Sequence, residues 1–274
     1  MIKMVASDLD GTLLNSKKEF PPNFDNVVKQ LKDRGVLFVA ASGRGRKSLK
    51  QIFGDMPIAM VADNGATAYN FRGDRICTEE FSYEKARAIL ETADRTPYMT
   101  PALISSEDVS LSKDTPGEVK DFMTSYFRGM ITIVPDILQI FEKEAVIKIS
   151  INTGPDGSRE DEGLALLEGV SDYFGATLSG DGWVDIQRFD VNKGKSVLNM
   201  GEYYGIAPDE IMVFGDYLND YEFMQASPNS YAMKNAHPKI KDISRYITEY
   251  TNEEYGVIRE LMNHFDIIYD KCQD

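Results

Sequence analysis

Residues 4–14 read MVASDLDGTLL, and this stretch decides the fold. Residues 3–7 are apolar enough for a short strand, and two aspartates stand directly behind them. An extended chain repeats every two residues, so Asp8 and Asp10 would emerge on one side while Leu9 points to the other. Two carboxylates that close repel unless a cation, a proton or strong hydrogen-bond donors stand beside them. The fold must supply that compensation.

Working outward, PPNFDNVVKQLKDRG (21–35) places Phe24, Val27, Val28 and Leu31 at helical spacing, with Gly35 as a stop. VLFVAAS (36–42) is a continuous apolar run, as in a parallel strand buried on both faces. A helix over 46–53, a strand in IAMVAD (58–63) and a hairpin from NGATAYNF (64–71) follow. This β-α-β-α-β order predicts a parallel sheet with helices on its faces.

From about Tyr83 the texture changes. Helical SYEKARAILETAD and GEVKDFMTSYF alternate with strand-like YMTPALIS, DVSLS, AVIKISIN, YFGATLSG and GWVDIQ. Strands sit beside strands, which indicates an α+β insert of about 100 residues. After DVNKG the βα texture returns, with a helix over 194–204, a strand in IMVFGD, a helix from 219, a strand in SYAM and a closing helix from 255. The first and last segments are expected to share one sheet. GPDGSREDEG (154–163) reads as a polar loop.

Bulk properties narrow the function. The 274 residues suffice for one large domain or two ordinary ones, and no apolar stretch reaches bilayer-spanning length. Asp8 and Asp10 interrupt the apolar opening, so no secretory leader is expected. Cys77 and Cys272 are too few and too distant for a disulfide framework, which favours a cytoplasmic protein. The net charge of −14 disfavours a nucleic-acid partner. It also requires that any anion be held by local cations and oriented N–H groups. The single basic cluster, Arg44, Arg46, Lys47 and Lys50, reads as a solvated helix face apart from Arg44.

Four short stretches stand at strand ends or helix starts: DLDGT (8–12), SGR (42–44), NKG (192–194) and GDYLND (215–220). In an open α/β sheet, ligands bind at the carboxyl ends of the strands. Asp8, Asp10, Asp216, Asp220, Asn219, Ser42 and Lys193 are therefore expected to converge. DLDG also resembles the start of a calcium loop, but the further ligands and distal glutamate are missing.

In this order the four stretches resemble the motifs of haloacid-dehalogenase-superfamily phosphatases, in the sugar-phosphatase branch with a large α/β cap. DNGA (63–66) and NA (235–236) look like secondary signatures of the same family, and the resemblance spans the chain. It implies a Rossmann-like, doubly wound core over 1–82 and 187–274, with an α+β cap over 83–186. It further implies a magnesium-dependent phosphatase acting on a small phosphorylated metabolite, with sugar phosphates the leading class. Nucleotide, flavin-mononucleotide or pyridoxal-phosphate substrates, a phosphomutase, and a non-catalytic sugar-phosphate sensor are the alternatives. No membrane partner is expected, and the oligomeric state is left open.

A phosphate monoester is dianionic, so a nucleophile approaches it against strong repulsion that a bridging Mg2+ relieves. By this resemblance Asp8 is the nucleophile and Asp10 the general acid and base. Asp8, the backbone carbonyl of Asp10 and Asp216 are the metal ligands. Ser42 and the N–H groups around Gly43 hold phosphate oxygens, and Lys193 neutralises the remaining charge. Asn219 and Asp220 orient water or support Lys193. Arg44 reads equally well as a helix-start arginine or a substrate contact. Lys234 stands where relatives commonly have glycine, which bears on substrate range if its loop borders the site. His237 and His264 read as structural or surface residues. Trp183 reads as packing, with a substrate-facing position as the alternative.

Overall fold

The computed structural model describes residues 1–106, 108–126, 131–154, 158–170, 173–180 and 182–267. Cys272, Phe127 of the expected GEVKDFMTSYF helix and residues 155–157 of the polar loop lie outside them. Two compact units are present, one formed by Met1–Cys77 with Asn192–Asp274, the other by Thr78–Val191.

The first unit begins with β1 (Met4–Ser7), α1 (Phe24–Asp33), β2 (Leu37–Ala41), α2 (Arg46–Phe53), β3 (Ala59–Ala62), β4 (Thr67–Tyr69) and β5 (Arg75–Thr78). The insert follows with α3 (Tyr83–Asp94), β6 (Thr100–Ser105), β7 (Val109–Ser112), α4 (Gly117–Tyr126), β8 (Thr132–Val134) and α5 (Ile140–Lys143). It continues through β9 (Val146–Asn152), α6 (Glu160–Glu168), β10 (Phe174–Gly180) and β11 (Trp183–Arg188). The chain then returns through α7 (Lys193–Tyr204), β12 (Ile211–Gly215), α8 (Tyr221–Gln225) and β13 (Asn229–Ala232). It closes with α9 (Pro238–Ile243), β14 (Tyr246–Ile247) and α10 (Gly256–Phe265).

Among the described residues the first unit holds an eight-stranded sheet in the order β14-β13-β12-β1-β2-β3-β4-β5. Pairing is parallel from β14 through β3, and β4 runs antiparallel to β3. β1 lies at the centre, with Met4 opposite Leu37 of β2 on one side and Ile211 of β12 on the other. All four of its residues are buried, which explains an apolar run without alternation. The chain winds outward from β1 through β2 and β3, and β12 starts the winding on the other side. Strand order reverses at β1/β12, where a doubly wound sheet opens a crevice at its carboxyl edge.

The apolar stripe of α1 packs on this sheet. Phe24 stacks on Phe20 at 4.8 Å and meets Phe38 edge-on at 5.3 Å, with Phe53 completing the cluster. The two-residue β14 and the short α9 carry too few residues to show a period, and sequence reading passes over them. The region expected as a helix from 219 is instead a 3₁₀ turn, Leu218–Asp220, leading into α8.

In the insert the sheet order is β10-β11-β9-β6-β7-β8, with β7 and β8 parallel and the other neighbours antiparallel. Alternation divides its two faces. Ile149, Ile151, Val184 and Ile186 join Ile89 and Leu90 of α3, while Ala102, Leu111 and Trp183 join Met123 of α4. Trp183 is 1% exposed and stacks on Phe122, so its role is packing.

Phe24→Ala should open a cavity in the aromatic cluster and cost about 3–5 kcal/mol. Urea unfolding followed by circular dichroism should show a correspondingly lower midpoint.

Candidate active site

β1 stops at Ser7, and residues 8–14 do not continue it as an extended segment. They coil into a turn closed by the Leu13 and Leu14 N–H groups on the carbonyls of Asp8 and Leu9. Leu9, Leu13 and Leu14 are buried beneath it. Gly11 makes the turn: its φ is +87°, and a Cβ there would stand 2.3 Å from the Asp216 Oδ2. The period-two reading of Asp8 and Asp10 therefore gives way to two carboxylates with separate partners.

Asp8 faces Lys193, whose Nζ donates to Asp8 Oδ1 at 2.6 Å and to Asp220 Oδ1 at 2.7 Å. Lys193 and Asp220 are fully buried and Asp8 nearly so. Lys193 opens α7, whose end is capped by Asn192 accepting from the Lys195 N–H at 2.8 Å. A cation at a helix N-terminus is disfavoured by the helix dipole, so the two carboxylates must outweigh that field as well as desolvation. They do: burial opposes the charge on Lys193, but Asp8 and Asp220 hold its ammonium above the ordinary lysine range. Burial most of all, helped by Asp220 and Asp216, pushes the Asp8 carboxyl up against the pull of Lys193.

Asp220 is fully occupied. Besides Lys193, it accepts from the backbone N–H groups of Asp216 at 2.9 Å and Tyr217 at 3.2 Å. It thereby shapes the loop that carries Asp216. Thr12 donates to Asp216 Oδ1 at 2.7 Å, tying this loop to the turn after β1. Burial first, and then Asp220, push the Asp216 carboxyl up to about 6.

Asp10 has its own cations. Arg44 grips it with Nε on Oδ2 at 2.8 Å and Nη2 on Oδ1 at 2.7 Å, and Lys18 Nζ lies 2.6 Å from Oδ1. Partial burial opposes ionisation, but the hydrogen bonds from Arg44 and Lys18 prevail and hold Asp10 below the usual carboxylate range. Asp10 is thus an ion-paired carboxylate here, and Arg44 is a carboxylate clamp rather than a plain helix-start residue.

Ser42 is buried, with its Oγ accepting from the Arg44 N–H at 3.1 Å. The loop after β3 zips onto this segment: the Asp63 and Asn64 N–H groups donate to the carbonyls of Arg44 and Ser42, both at 3.0 Å. Asp63 and Asn64 stand at positive φ, 52° and 55°, in the left-handed region that Asp and Asn enter more readily than other residues with a Cβ. Gly65 follows at φ +103°, where a Cβ would stand 2.2 Å from the Asn192 carbonyl. Asn219 Nδ2 donates to Asn64 Oδ1 at 3.3 Å rather than to the Lys193 group. Asn235 reaches the Gly11 carbonyl at 2.8 Å, while Lys234 does not line the site. His237 caps α9 by accepting from the Lys239 N–H.

A cavity of about 340 Å3 opens among these groups, lined by Asp8, Asp10, Ser42, Arg44, Asp216 and Asn219 together with Gly43 and Tyr217. Asp8, Asp216 and Asp220 each offer a carboxylate oxygen within 4.8 Å of the others, a cluster that can hold a metal ion. Asp8 Oδ2 and Asp216 Oδ2 carry no hydrogen bond among the described residues, whereas both oxygens of Asp220 are engaged. The hard oxygen donors and upward-shifted carboxyls fit a divalent cation. Lys18, Thr12, Asn64 and Tyr217 escaped the sequence reading. Thr12 and Tyr217 lie inside motifs whose recognisable pattern is acidic, and DNGA reads only as a family signature.

Residues 5–261 match the family described as haloacid dehalogenase-like hydrolase. The chain is 26% identical over 275 residues to 5-amino-6-(5-phospho-D-ribitylamino)uracil phosphatase YwtE of Bacillus subtilis, covering 93% of this chain and 96% of that protein. It is also 26% identical over 270 residues to the like-named YbjI of Escherichia coli, covering 96% and 97%. The crystal structure of TM0651 from Thermotoga maritima superposes with a TM-score of 0.82 at 26% identity, over the whole of both chains.

Lys193→Met should strand Asp8 and Asp220 without their cation and destabilise the fold by about 3–5 kcal/mol. Asp8 would then bind a proton in the folded protein at pH values where the unfolded chain is ionised, so low pH favours the folded variant. Because burial already raises the Asp8 carboxyl to about 8 beside Lys193, and loss of that cation raises it further, the deficit should shrink as pH falls toward about 8, as measured by urea unfolding against wild type.

Proposed function

The chain belongs to the haloacid dehalogenase-like hydrolases and is a phosphatase, and from that premise we propose a Mg2+-dependent enzyme that hydrolyses small phosphorylated metabolites, sugar phosphates first among them. The observation that carries this reading is the state of Asp8. One carboxylate oxygen is pinned by buried Lys193, and the other, in a residue lining the cavity, carries no hydrogen bond among the described residues.

In the proposed reaction Asp8 Oδ2 attacks phosphorus, the phosphorus–ester bond breaks, and the departing alcohol oxygen takes a proton from Asp10. Water then attacks the aspartyl-phosphate, Asp10 takes its proton, and the bond from Asp8 to phosphorus breaks to release phosphate. Lys193 favours the ionised nucleophile and offsets charge on the phosphoryl oxygens, while Ser42 and the Gly43 N–H orient them. The carboxylate form of Asp10 seen with Arg44 and Lys18 is the form that deprotonates water. Donation in the first step requires that this clamp yield as Asp10 takes up its proton. Asp8, Asp216 and the backbone carbonyl of Asp10 would hold Mg2+, which when bound supplies neutralisation of charge between nucleophile and phosphate.

The insert, residues 83–186, is assigned the choice of substrate. Two relatives bear the name of a phosphorylated ribitylaminouracil, which supports a small phosphorylated metabolite here. A cytoplasmic setting agrees with the composition, and no described helix is long and apolar enough to cross a membrane.

Asp8→Asn should lower kcat by about ten-thousandfold while leaving the circular dichroism spectrum unchanged. Rapid acid quench and mass spectrometry of the wild type should find phosphate on the peptide containing Asp8. Chelation should abolish turnover, Mg2+ should restore it, and Ca2+, with its looser coordination, should restore little. A label on another residue, or full activity in excess chelator, would sink the reading.

A further inference from the structure

Within GDYLND the proposed chemistry uses Asp216, Asn219 and Asp220 and leaves Tyr217 unexplained. Tyr217 lines the same cavity as Asp8 and Asp216, yet it is 58% exposed. Every other described residue lining that cavity is charged, polar or glycine, so among the described residues Tyr217 supplies its only aromatic surface.

The residue is held in place. Its N–H donates to Asp220 Oδ2 at 3.2 Å, and its carbonyl accepts from the Asp220 N–H at 2.9 Å. Its ring meets His237 edge-on, with centroids 5.8 Å apart and planes at 87°. His237 is itself fixed by its N–H on the Asp216 carbonyl at 2.8 Å. The next apolar side chains, Leu218 and Tyr221, are also exposed, at 41% and 38%. A phosphoryl group has no use for an apolar face, and the charged lining already serves it. An anchored ring at the cavity suits the carbon skeleton attached to the ester oxygen, because little ordering entropy is lost when that skeleton packs on it.

We propose that Tyr217 is the leaving-group platform: its face stacks against a ring, aromatic or saturated, carried by the alcohol of the phosphate ester. The inference rests on the phosphatase reading and adds a substrate class, ring-bearing alcohols, to it.

Calorimetric binding of three non-hydrolysable probes in Mg2+ tests it: phenylphosphonate, cyclohexylphosphonate and methylphosphonate. Tyr217→Ala should weaken the ring-bearing probes about tenfold and methylphosphonate less than about twofold. Tyr217→Phe should bind all three as wild type does, because the face and not the hydroxyl is used. Loss confined to phenylphosphonate supports an aromatic partner, and loss of both ring probes supports any ring with an apolar face. Equal weakening of all three probes, no weakening at all, or a Tyr217→Phe defect matching that of alanine overturns the proposal. Turnover of phenyl phosphate separates it from its premise. If nothing is hydrolysed while the ring preference and its loss persist, the phosphatase reading falls and the platform stands. If hydrolysis proceeds while Tyr217→Ala leaves the probe ratios unchanged, only the platform falls.

Discussion

The buried ammonium of Lys193 is the interaction on which the carboxyl edge of the central sheet depends. It joins Asp8 from the turn after β1 to Asp220 from the loop after β12, bridging 185 residues of sequence in one direction and 27 in the other. Each partner is desolvated, so none tolerates the loss of another: a buried pair that breaks costs far more than its formation gained. Asp220 in turn fixes the backbone of Asp216 and Tyr217, and Asp216 is tied through Thr12 to the turn after β1. The strand ends are therefore not independent loops that happen to face one another. They are one polar network with the ammonium at its centre.

Under the proposed function, this arrangement also accounts for how so acidic a chain would accept a dianion. Its local cations are Lys193, Arg44 and Lys18, and each is already matched to a carboxylate. The field of the site is set by these short pairs rather than by the net charge of −14, which solvent and salt screen over longer distances. Positioned but already neutralised cations mean that an anion must compete with aspartates for them. Under the proposed function, charge selection would work by exchange of partners, not by a surplus of positive charge.

Much of this was legible in the sequence because it depends on short-range pattern. Continuous apolar runs at 3–7, 36–42 and 211–215 marked strands buried on both faces, and the acidic motifs sat at their ends. Lys193 was legible only through its neighbours in NKG, since a lone lysine carries no period. The Arg44–Asp10 clamp was not legible, because it joins side chains 34 residues apart whose meeting depends on how Gly11 turns the chain. Lys18 is invisible for the same reason. The positive φ of Asp63 and Asn64 escaped because it depends on how their loop docks, here onto Ser42 and Arg44.

The central position of β1 has a consequence for how the protein comes into being. Its two neighbours are β2, which follows within about thirty residues, and β12, which the chain reaches only after the whole insert has been made. During synthesis from the N-terminus, β1 through β5 exist for some time as a partial sheet with one long apolar edge unfilled. The insert, with its own sheet and core, can condense in that interval. Completion of the first unit then waits on strand pairing between distant parts of the chain, the slow kind of contact. Until β12 arrives, the strand that leads into Asp8 is also the edge most open to pairing with another molecule. The interval between those two strands is thus the period in which a nascent chain most needs a chaperone.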